Sequence, residues 1–312
     1  MTRSQITYIL SLEKHKSFSK AAKVCFVTQS TLSAMVAKFE QQAGIIIFDR
    51  KTKPITITPK GKKIITYLKN INREYQLLDE GINQIKGVKS GIMNIACIPT
   101  IASFLFPLIL GKISRAFPKV TFNIRELTTN MIVQELMAGN IDIGIVSTPL
   151  DIKDIIEHPL YKEPFVLYDK RANQKISKSK FSIDKIDYNK LILLEEGHCF
   201  RNQVQTICKL RQHKKIENNI IYTSGTLESL KKMVQINKAM TLLPAFSVSD
   251  FSKKELEHIR HFTSPVPVRE IGLIYHTNYI KTSLMKGVEK IIKEKISAFA
   301  KNSKKVNVVR PF

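Results

Sequence analysis

The most restrictive feature of the sequence is a stripe of apolar residues between positions 64 and 85. Its members are alternately four and three residues apart: Ile64, Leu68, Ile71, Tyr75, Leu78, Ile82 and Ile85. This alternation is the a/d repeat of a helix over three heptads. It predicts one long helix that pairs with a second copy of itself, although a helix packed on its own domain would carry the same stripe. We favour dimerisation because the stripe separates a small basic segment from a larger α/β segment.

Helical spacing of apolar residues also runs through the segment before the stripe, from Ile6 to Glu40. Ser17 and Thr28 stand where helix N-caps belong, and only a tight turn fits between Cys25 and Thr28. The pattern predicts a helix-turn-helix. Its second helix, from about Thr28 to Gln42, would turn side chains towards base edges and phosphates of double-stranded DNA: Gln29, Ser30, Thr31, Ser33 and Lys38. Any three-helix bundle has polar outward faces, so periodicity alone leaves DNA binding open.

The next segment, IIIFDRKTKPITITPKG, alternates Ile with Thr and predicts a hairpin. Arg50 and Lys53 lie at its tip, where a basic wing would hold phosphate. Thr58 and Pro59 have the order of an N-cap and a first helical residue. We therefore assign residues 1–59 to a winged helix-turn-helix domain, and residues 60–90 to a linker helix that ends in the hinge GVKSG.

Beyond residue 91 the pattern changes to strands and helices in alternation, which is typical of an α/β fold with doubly wound sheets. The predicted strands are MNIACIP, VTFNIREL, IDIGIVS, FVLYDK, LILLEE, NIIYTSG, MTLLP and REIGLIYH. Helices are predicted between them, among them one from about Phe200. We expect a two-lobed regulatory domain over 91–312, with lobe 1 at about 91–163 and 269–302 and lobe 2 at about 164–268. The chain would cross between lobes near Glu163 and return near Arg269.

Charge and composition narrow the class of partner and the compartment. The formal net charge is +24, and residues 1–90 carry 16 Lys and Arg against 6 Asp and Glu, which favours an anionic partner, nucleic acid before membrane. Four cysteines are too few for a secreted disulfide scaffold. The chain has no signal peptide pattern and no apolar span of about 18 residues, so we expect a cytoplasmic protein. The histidines are scattered along the sequence, so we expect no metal site. No nucleotide-binding motif is present, so we expect no cofactor.

The order of these segments, with the string FSKAAKVCFVTQSTLSAMVAKFEQQAG, resembles the LysR-type bacterial transcription regulators over essentially the whole chain. Ala21, Ala22 and Gly44 are among the matching positions, and Thr58, Pro59 and Gly61 match a T-x-x-G segment of that family. The resemblance implies a periplasmic-binding-protein-like regulatory domain and a homodimer or homotetramer on promoter DNA. It implies RNA polymerase as a further partner, and a function that is regulatory rather than enzymatic.

Within the family, Gly197, His198 and Cys199, followed by Arg201, Gln203 and Cys208, are similar to the OxyR branch, the hydrogen peroxide sensors. That similarity implies that Cys199 is oxidised by peroxide and that Cys208 traps the sulfenic acid as a disulfide. It also implies that Thr100 and Thr129 bind peroxide, although capping of the following helices would explain both threonines.

A sensing cysteine reacts as its thiolate, which requires a pKa below about 8.5. His198, Arg201 and the free N–H groups of a helix starting near Phe200 would favour negative charge at Cys199. Arg269 would add positive charge to the same pocket or merely begin a strand. If residues 200–208 are helical, the two thiols lie roughly 13 Å apart along the axis, whereas a disulfide needs Cα atoms about 4.4–6.8 Å apart. Oxidation is therefore expected to unwind this helix.

Two other functions remain open on the sequence alone. A LysR-type regulator can be gated by a small effector in the cleft between its lobes, in which case the two thiols are incidental. A cysteine enzyme such as a thiol peroxidase is a third possibility, but an enzyme has no need of the helix-turn-helix and the heptad helix. Cys25 and Cys97 are expected to be structural residues of the core.

Overall fold

The computed structural model describes residues 1–86, 90–171, 180–186, 191–194, 199–208, 226–279, 281–297 and 306–311. The chain forms two compact units, Met1–Val88 and Lys89–Phe312. The predicted strand NIIYTSG, most of the hinge and His198 lie outside the described residues. No helix of the described part is long and apolar enough to cross a bilayer.

The first unit is a winged helix-turn-helix followed by a long helix, as the sequence predicts. Its elements are α1 (Arg3–His15), α2 (Phe18–Val24), α3 (Gln29–Ala43), β1 (Phe48–Asp49), β2 (Thr56–Ile57) and α4 (Pro59–Ile85). β1 and β2 pair antiparallel with Phe48 opposite Ile57, so the predicted hairpin is present but short.

Local capping explains where these helices begin. The side chains of Ser17 and Thr28 accept hydrogen bonds from the backbone N–H groups of the third residues of α2 and α3, which confirms both as N-caps. Thr58 caps α4 in the same way by accepting from the N–H of Gly61 at 2.9 Å. Gly61 is required there because a Cβ would collide with the carbonyl oxygen of Ile47.

The apolar stripe of α4 divides into two halves. Leu68 is buried, and Ile64, Ile71 and Tyr75 pack against the core of the first unit. The C-terminal half is exposed, since Leu78, Ile82 and Ile85 have 61%, 40% and 89% of their surface accessible. Packing on its own domain therefore accounts for only the first half of the stripe.

The second unit is a two-lobed α/β domain. Its elements are β3 (Gly91–Cys97), α5 (Pro99–Ala116), β4 (Val120–Glu126), α6 (Thr129–Met137), β5 (Ile143–Thr148), β6 (Ile155–Asp169), α7 (Cys199–Ile207), α8 (Leu227–Ile236), β7 (Met240–Pro244), α9 (Lys253–Leu256), β8 (Ile259–His261), β9 (Val266–His276), α10 (Thr282–Ser297) and β10 (Val306–Val308). Short 3₁₀ turns cover Ile183–Lys185 and Ala245–Val248.

One mixed sheet runs through both lobes in the order β4-β3-β5-β9-β6-β7, with β8 also on β6 and β10 on β9. β3 is parallel to β4 and β5, while β9 is antiparallel to β5 and β6. Up to Pro164, β6 pairs with β9; from Phe165 it pairs with β7 and β8 instead. Two separate hydrophobic cores result, which we call core 1, packed around β3–β5, α5, α6 and α10, and core 2, packed around the end of β6, β7, α7 and α8.

Two strand predictions in this unit were correct only in part. The strand expected to start at Phe165 begins ten residues earlier, at Ile155, because β6 tolerates Pro159 at a bulge and Pro164 next to its change of partner. In the predicted strand LILLEE, the described residues 191–194 contain only isolated pairing, between Leu191 and Met240.

Candidate functional site

Cys199 is the first residue of α7, and the helical hydrogen bonding continues to Cys208. The N–H of Cys208 donates to the carbonyl of Val204 at 3.0 Å. Phe200, Val204 and Ile207 form the apolar stripe of this helix and are all buried in core 2. The predicted helix is confirmed, and it begins one residue before its expected start. Because the rise is about 1.5 Å per residue, the two thiols are separated by roughly 13 Å along the axis.

The two thiols lie in different hydrophobic cores. Cys199, 3% exposed, belongs to core 1, whereas Cys208, 1% exposed, belongs to core 2. Both are free thiols. A bond between them therefore requires one sulfur to leave its core, because neither can reach the other while α7 remains helical.

Burial raises the pKa of the Cys208 thiol to about 12. At neutral pH this sulfur is almost entirely protonated, and a thiol is a far weaker nucleophile than a thiolate. In its buried position Cys208 is therefore a poor nucleophile.

A small pocket that is partly open to solvent adjoins Cys199; its lining side chains enclose almost no free space, so a ligand there requires them to shift. Its lining residues are Ile98, Thr100, Thr128, Thr129, Cys199 and Phe200. Thr100, Thr129 and Cys199 belong to the first turns of α5, α6 and α7 respectively. Three helix N-termini therefore border this pocket, and the partial positive charge of each favours an anion there.

Thr129 carries an unused polar atom in this pocket. The cap of α6 is Thr128, whose hydroxyl oxygen accepts from the N–H of Met131. Thr129 is only 2% exposed, and its hydroxyl oxygen has no hydrogen-bond partner among the described residues. Helix capping therefore does not account for Thr129. Leaving a buried hydroxyl unsatisfied costs free energy, and a small polar ligand would recover it.

Arg269 lies beside the pocket and is fully buried at 1% exposure. Its Nη1 donates to the hydroxyl oxygen of Thr100 at 2.9 Å, and its Nη2 to the carbonyl of Thr100 at 3.0 Å. Its guanidinium carbon is 5.7 Å from the ring centre of Phe200, the residue after Cys199. Arg269 starts no strand, since β9 begins at Val266; it contacts two residues that line the pocket.

Glu163, expected from the sequence only to lie where the chain crosses between the lobes, neutralises Arg269. Its Oε2 lies 2.7 Å from Nη2 of Arg269, and its Oε1 accepts from the N–H of Phe246 at 2.8 Å. The two residues face each other in the β6–β9 register. A single sequence shows no sign of this pairing because the residues are 106 positions apart.

Other predicted residues have separate contacts. Arg201 donates from Nη1 to the carbonyl of Leu194 at 2.8 Å. Gln203 is completely buried and donates from Nε2 to the carbonyl of Val309 at 2.8 Å, which ties α7 to the segment after β10. His198, predicted to tune Cys199, lies outside the described residues.

The remaining cysteines are packed as structural residues. Cys97 is fully buried in β3, and burial raises the pKa of its thiol well above the usual range, with Glu126 adding to the shift and Arg269 opposing it. Cys25 is half-buried against the core of the first unit. Among the described residues, no group of three or more His, Cys, Asp and Glu side chains is placed to hold a metal ion.

The first unit presents α3 as a second candidate surface. Gln29, Ser30, Thr31 and Lys38 are exposed, and Ser33 is half-buried. The hydroxyl of Thr28 lies within hydrogen-bond distance of the hydroxyls of both Ser30 and Thr31, so it orders the first turn of the helix.

The wing beside α3 carries two predicted basic residues with different surroundings. Lys53 is exposed. Arg50 pairs with Glu40 at 2.7 Å and lies 5.4 Å from the ring centre of Phe18. Arg50 therefore helps to hold the wing against the helices.

Both units match families of known proteins. Residues 4–62 match the bacterial regulatory helix-turn-helix protein of the lysR family, and residues 86–296 match the LysR substrate binding domain. The chain belongs to the LysR-type family of bacterial transcription regulators. As a LysR-type regulator it binds DNA, which confirms the prediction from the helix-turn-helix.

Individual relatives place this LysR-type regulator near the OxyR branch. It is 29% identical over 276 residues to a hydrogen peroxide-inducible genes activator of Haemophilus influenzae, covering 88% of this chain and 90% of the relative. It is 28% identical over 275 residues to the dual regulator OxyR of Escherichia coli, covering 88% and 89%. The full-length OxyR C199D structure from Pseudomonas aeruginosa is similar with a TM-score of 0.75 at 26% identity, covering 94% of this chain and 98% of that one.

Proposed function

We propose that this LysR-type regulator senses hydrogen peroxide through Cys199 and signals by forming a disulfide between Cys199 and Cys208. The observation that carries the proposal is the position of the two thiols, at opposite ends of one helix and in different hydrophobic cores. A link between them cannot form without remodelling α7. The peroxide-inducible relatives add support.

The first chemical step takes place in the Cys199 pocket. The Cys199 thiolate attacks one peroxide oxygen, the O–O bond breaks, and the distal oxygen takes a proton and leaves as water. Sulfur loses two electrons to peroxide and becomes a sulfenic acid. The three helix N-termini stabilise negative charge on sulfur and on the departing oxygen, and Thr129 offers a hydroxyl with no other partner to orient the substrate.

The second step links disulfide formation to a conformational change. The sulfur of Cys208 attacks the sulfenic sulfur, an S–S bond replaces the S–O bond, and water leaves. Since burial suppresses the Cys208 thiolate, this attack follows the opening of α7. Phe200, Val204 and Ile207 then leave their places in core 2, and their new packing changes the contact between subunits.

Mass spectrometry tests this function. After treatment of the reduced protein with one equivalent of peroxide, we expect the peptides that contain Cys199 and Cys208 to be linked and to have lost two hydrogens. Cys25 and Cys97 should remain free thiols, which makes them internal controls. Free thiols at both Cys199 and Cys208 after this treatment would refute the proposed function.

A gate for a small effector is the alternative function. The same unpartnered hydroxyl of Thr129 favours it, because a small polar effector would satisfy that atom as well as peroxide does. Only the peroxide-sensing function requires the sulfur of Cys199, so a variant without that sulfur distinguishes the two functions.

The proposed contacts with promoter DNA come from α3 and the wing. Gln29, Ser30, Thr31 and Ser33 would reach base edges, while Lys38, Arg50 and Lys53 would neutralise phosphates. The exposed residues Leu78, Ile82 and Ile85 of α4 would pair subunits, and two such dimers would form the tetramer that contacts RNA polymerase.

Salt dependence tests the phosphate contacts. Affinity for promoter DNA should fall steeply with salt, and Lys38→Gln or Lys53→Gln should each reduce the slope of log K against log[salt] by about 1. Fluorescence anisotropy between about 50 and 200 mM salt measures this slope. Glu228→Gln, at an exposed carboxylate of α8, is the control and should leave the slope unchanged. A flat response in the unchanged protein would contradict the DNA-binding surface.

A further inference from the structure

The buried ion pair between Glu163 and Arg269 is unusual for its setting. The two side chains are 2% and 1% exposed, so both charges are removed from water. Buried ion pairs are often no more stabilising than apolar residues of the same volume, because the loss of hydration offsets their attraction. Stability alone therefore does not explain why this pair lies where the two long strands cross between the lobes.

The contacts of Glu163 fix the guanidinium in one orientation. Oε2 accepts from both Nε and Nη2 of Arg269, at 2.8 and 2.7 Å. Oε1 accepts from the N–H of Phe246, so a backbone group holds the carboxylate itself in place. The far edge of the guanidinium then faces Thr100, where Nη1 reaches the hydroxyl and Nη2 reaches the carbonyl.

This orientation decides which role the Thr100 hydroxyl plays. A hydroxyl has one hydrogen to donate, and its oxygen accepts. The oxygen of Thr100 already accepts from Arg269, and its hydrogen has no acceptor among the described residues. Thr100 lines the Cys199 pocket, so its hydrogen is available to a ligand there.

We propose that Glu163 is a positioning residue for the oxidation of Cys199: it orients Arg269 so that the Thr100 hydroxyl donates its hydrogen to the peroxide oxygen that departs. The inference rests on the proposed function. When sulfur attacks the proximal oxygen, the O–O bonding pair moves to the distal oxygen, which gains a proton and leaves as water. A hydroxyl that is held as a donor stabilises the charge on that oxygen as the bond breaks.

Replacement of Glu163 by Gln removes this orientation while preserving size. The amide oxygen can accept from Arg269 only if the amide nitrogen faces the N–H of Phe246, which places two donors against each other. We expect the second-order rate constant for Cys199 oxidation by peroxide to fall about 100-fold, since displacements of about 1 Å have effects of this size. Methyl methanethiosulfonate, which needs no hydroxyl donor, should react with Cys199 within about threefold of its original rate.

Glu157→Gln is the matched control. Glu157 is a carboxylate of the same strand, and it also accepts backbone N–H bonds, from Leu150 and Asp151. Its replacement should leave both rates unchanged. Equal losses with peroxide and with the thiosulfonate in Glu163→Gln, or no loss with peroxide, would overturn the positioning role.

A double-mutant cycle tests the positioning role without relying on the Glu163→Gln variant alone. If Glu163 acts through Arg269 and Thr100, Thr100→Val combined with Glu163→Gln should be no slower than Thr100→Val alone, whereas independent contributions would multiply. Glu163→Asp replaces Glu163→Gln in the same cycle if the amide variant does not fold. If Cys199 of the unchanged protein does not react with peroxide, the proposed function itself is refuted. That outcome is distinguishable from every result of the variant experiments.

Discussion

Cys199→Ser should abolish the response of the regulator to peroxide while DNA binding persists. Serine is nearly the same size but has no thiolate, so peroxide has no nucleophile to oxidise. We expect the peroxide-dependent change in DNA footprint to disappear, with a decrease of at least about 100-fold in sensitivity to peroxide. Because Cys199 lies in the second unit and α3 in the first, affinity of the reduced protein for promoter DNA should stay within about threefold.

Cys25→Ala provides the control for this experiment. Cys25 is also a free thiol, but it lies in the first unit. Its removal should leave the peroxide response intact when each variant is compared with its own reduced form. A full response in Cys199→Ser would instead favour a regulator gated by a small effector.

The second large effect should be the opening of α7 on oxidation. The Cys199–Cys208 bond requires Cα atoms within about 7 Å, a separation that the helix does not allow. Backbone amides of residues 203–208, whose N–H groups bond within the helix, should then lose about 100-fold or more of their protection against hydrogen exchange. The N–H of Val309 donates to the carbonyl of Val268 and should lose protection to a smaller extent, because the carbonyl of Val309 also loses its contact with Gln203 of α7.

Cys208→Ser is the control for the exchange measurement. Its Cys199 still reacts with peroxide but stops at the sulfenic acid, so no disulfide holds the helix in an open form. Protection in α7 should then stay within about threefold of the reduced protein. If this variant loses as much protection as the unchanged protein, the sulfenic acid and not the disulfide causes the opening of α7.

Local signals explain why the first unit could be predicted from sequence. Ser17, Thr28 and Thr58 each cap the helix that follows, and capping depends only on neighbours a few residues away. The two-lobed fold was predictable for a similar reason, since alternation of strands and helices is visible along the chain. The start of β6 was not, because Pro159 and Pro164 are unfavourable in strands and the partner strand lies about a hundred residues away.

The candidate site was predictable only in part. Flanking residues singled out Cys199 and Cys208, but the sequence does not show that one thiol lies in each core. Thr128 and Thr129 look equally fit to cap α6, and only the backbone decides that Thr128 does so and leaves Thr129 facing the pocket. Glu163 was missed because its role depends on a residue on another strand.

Crystal structures of the reduced and the disulfide-linked regulator test the central claim most directly. That claim is that a bond between Cys199 and Cys208 cannot coexist with α7. The reduced form should show an intact helix from Cys199 to Ile207. The oxidised form should show an unwound segment in which the Cα atoms of Cys199 and Cys208 are about 4.4–6.8 Å apart. An oxidised structure with the disulfide closed and α7 still helical would contradict it.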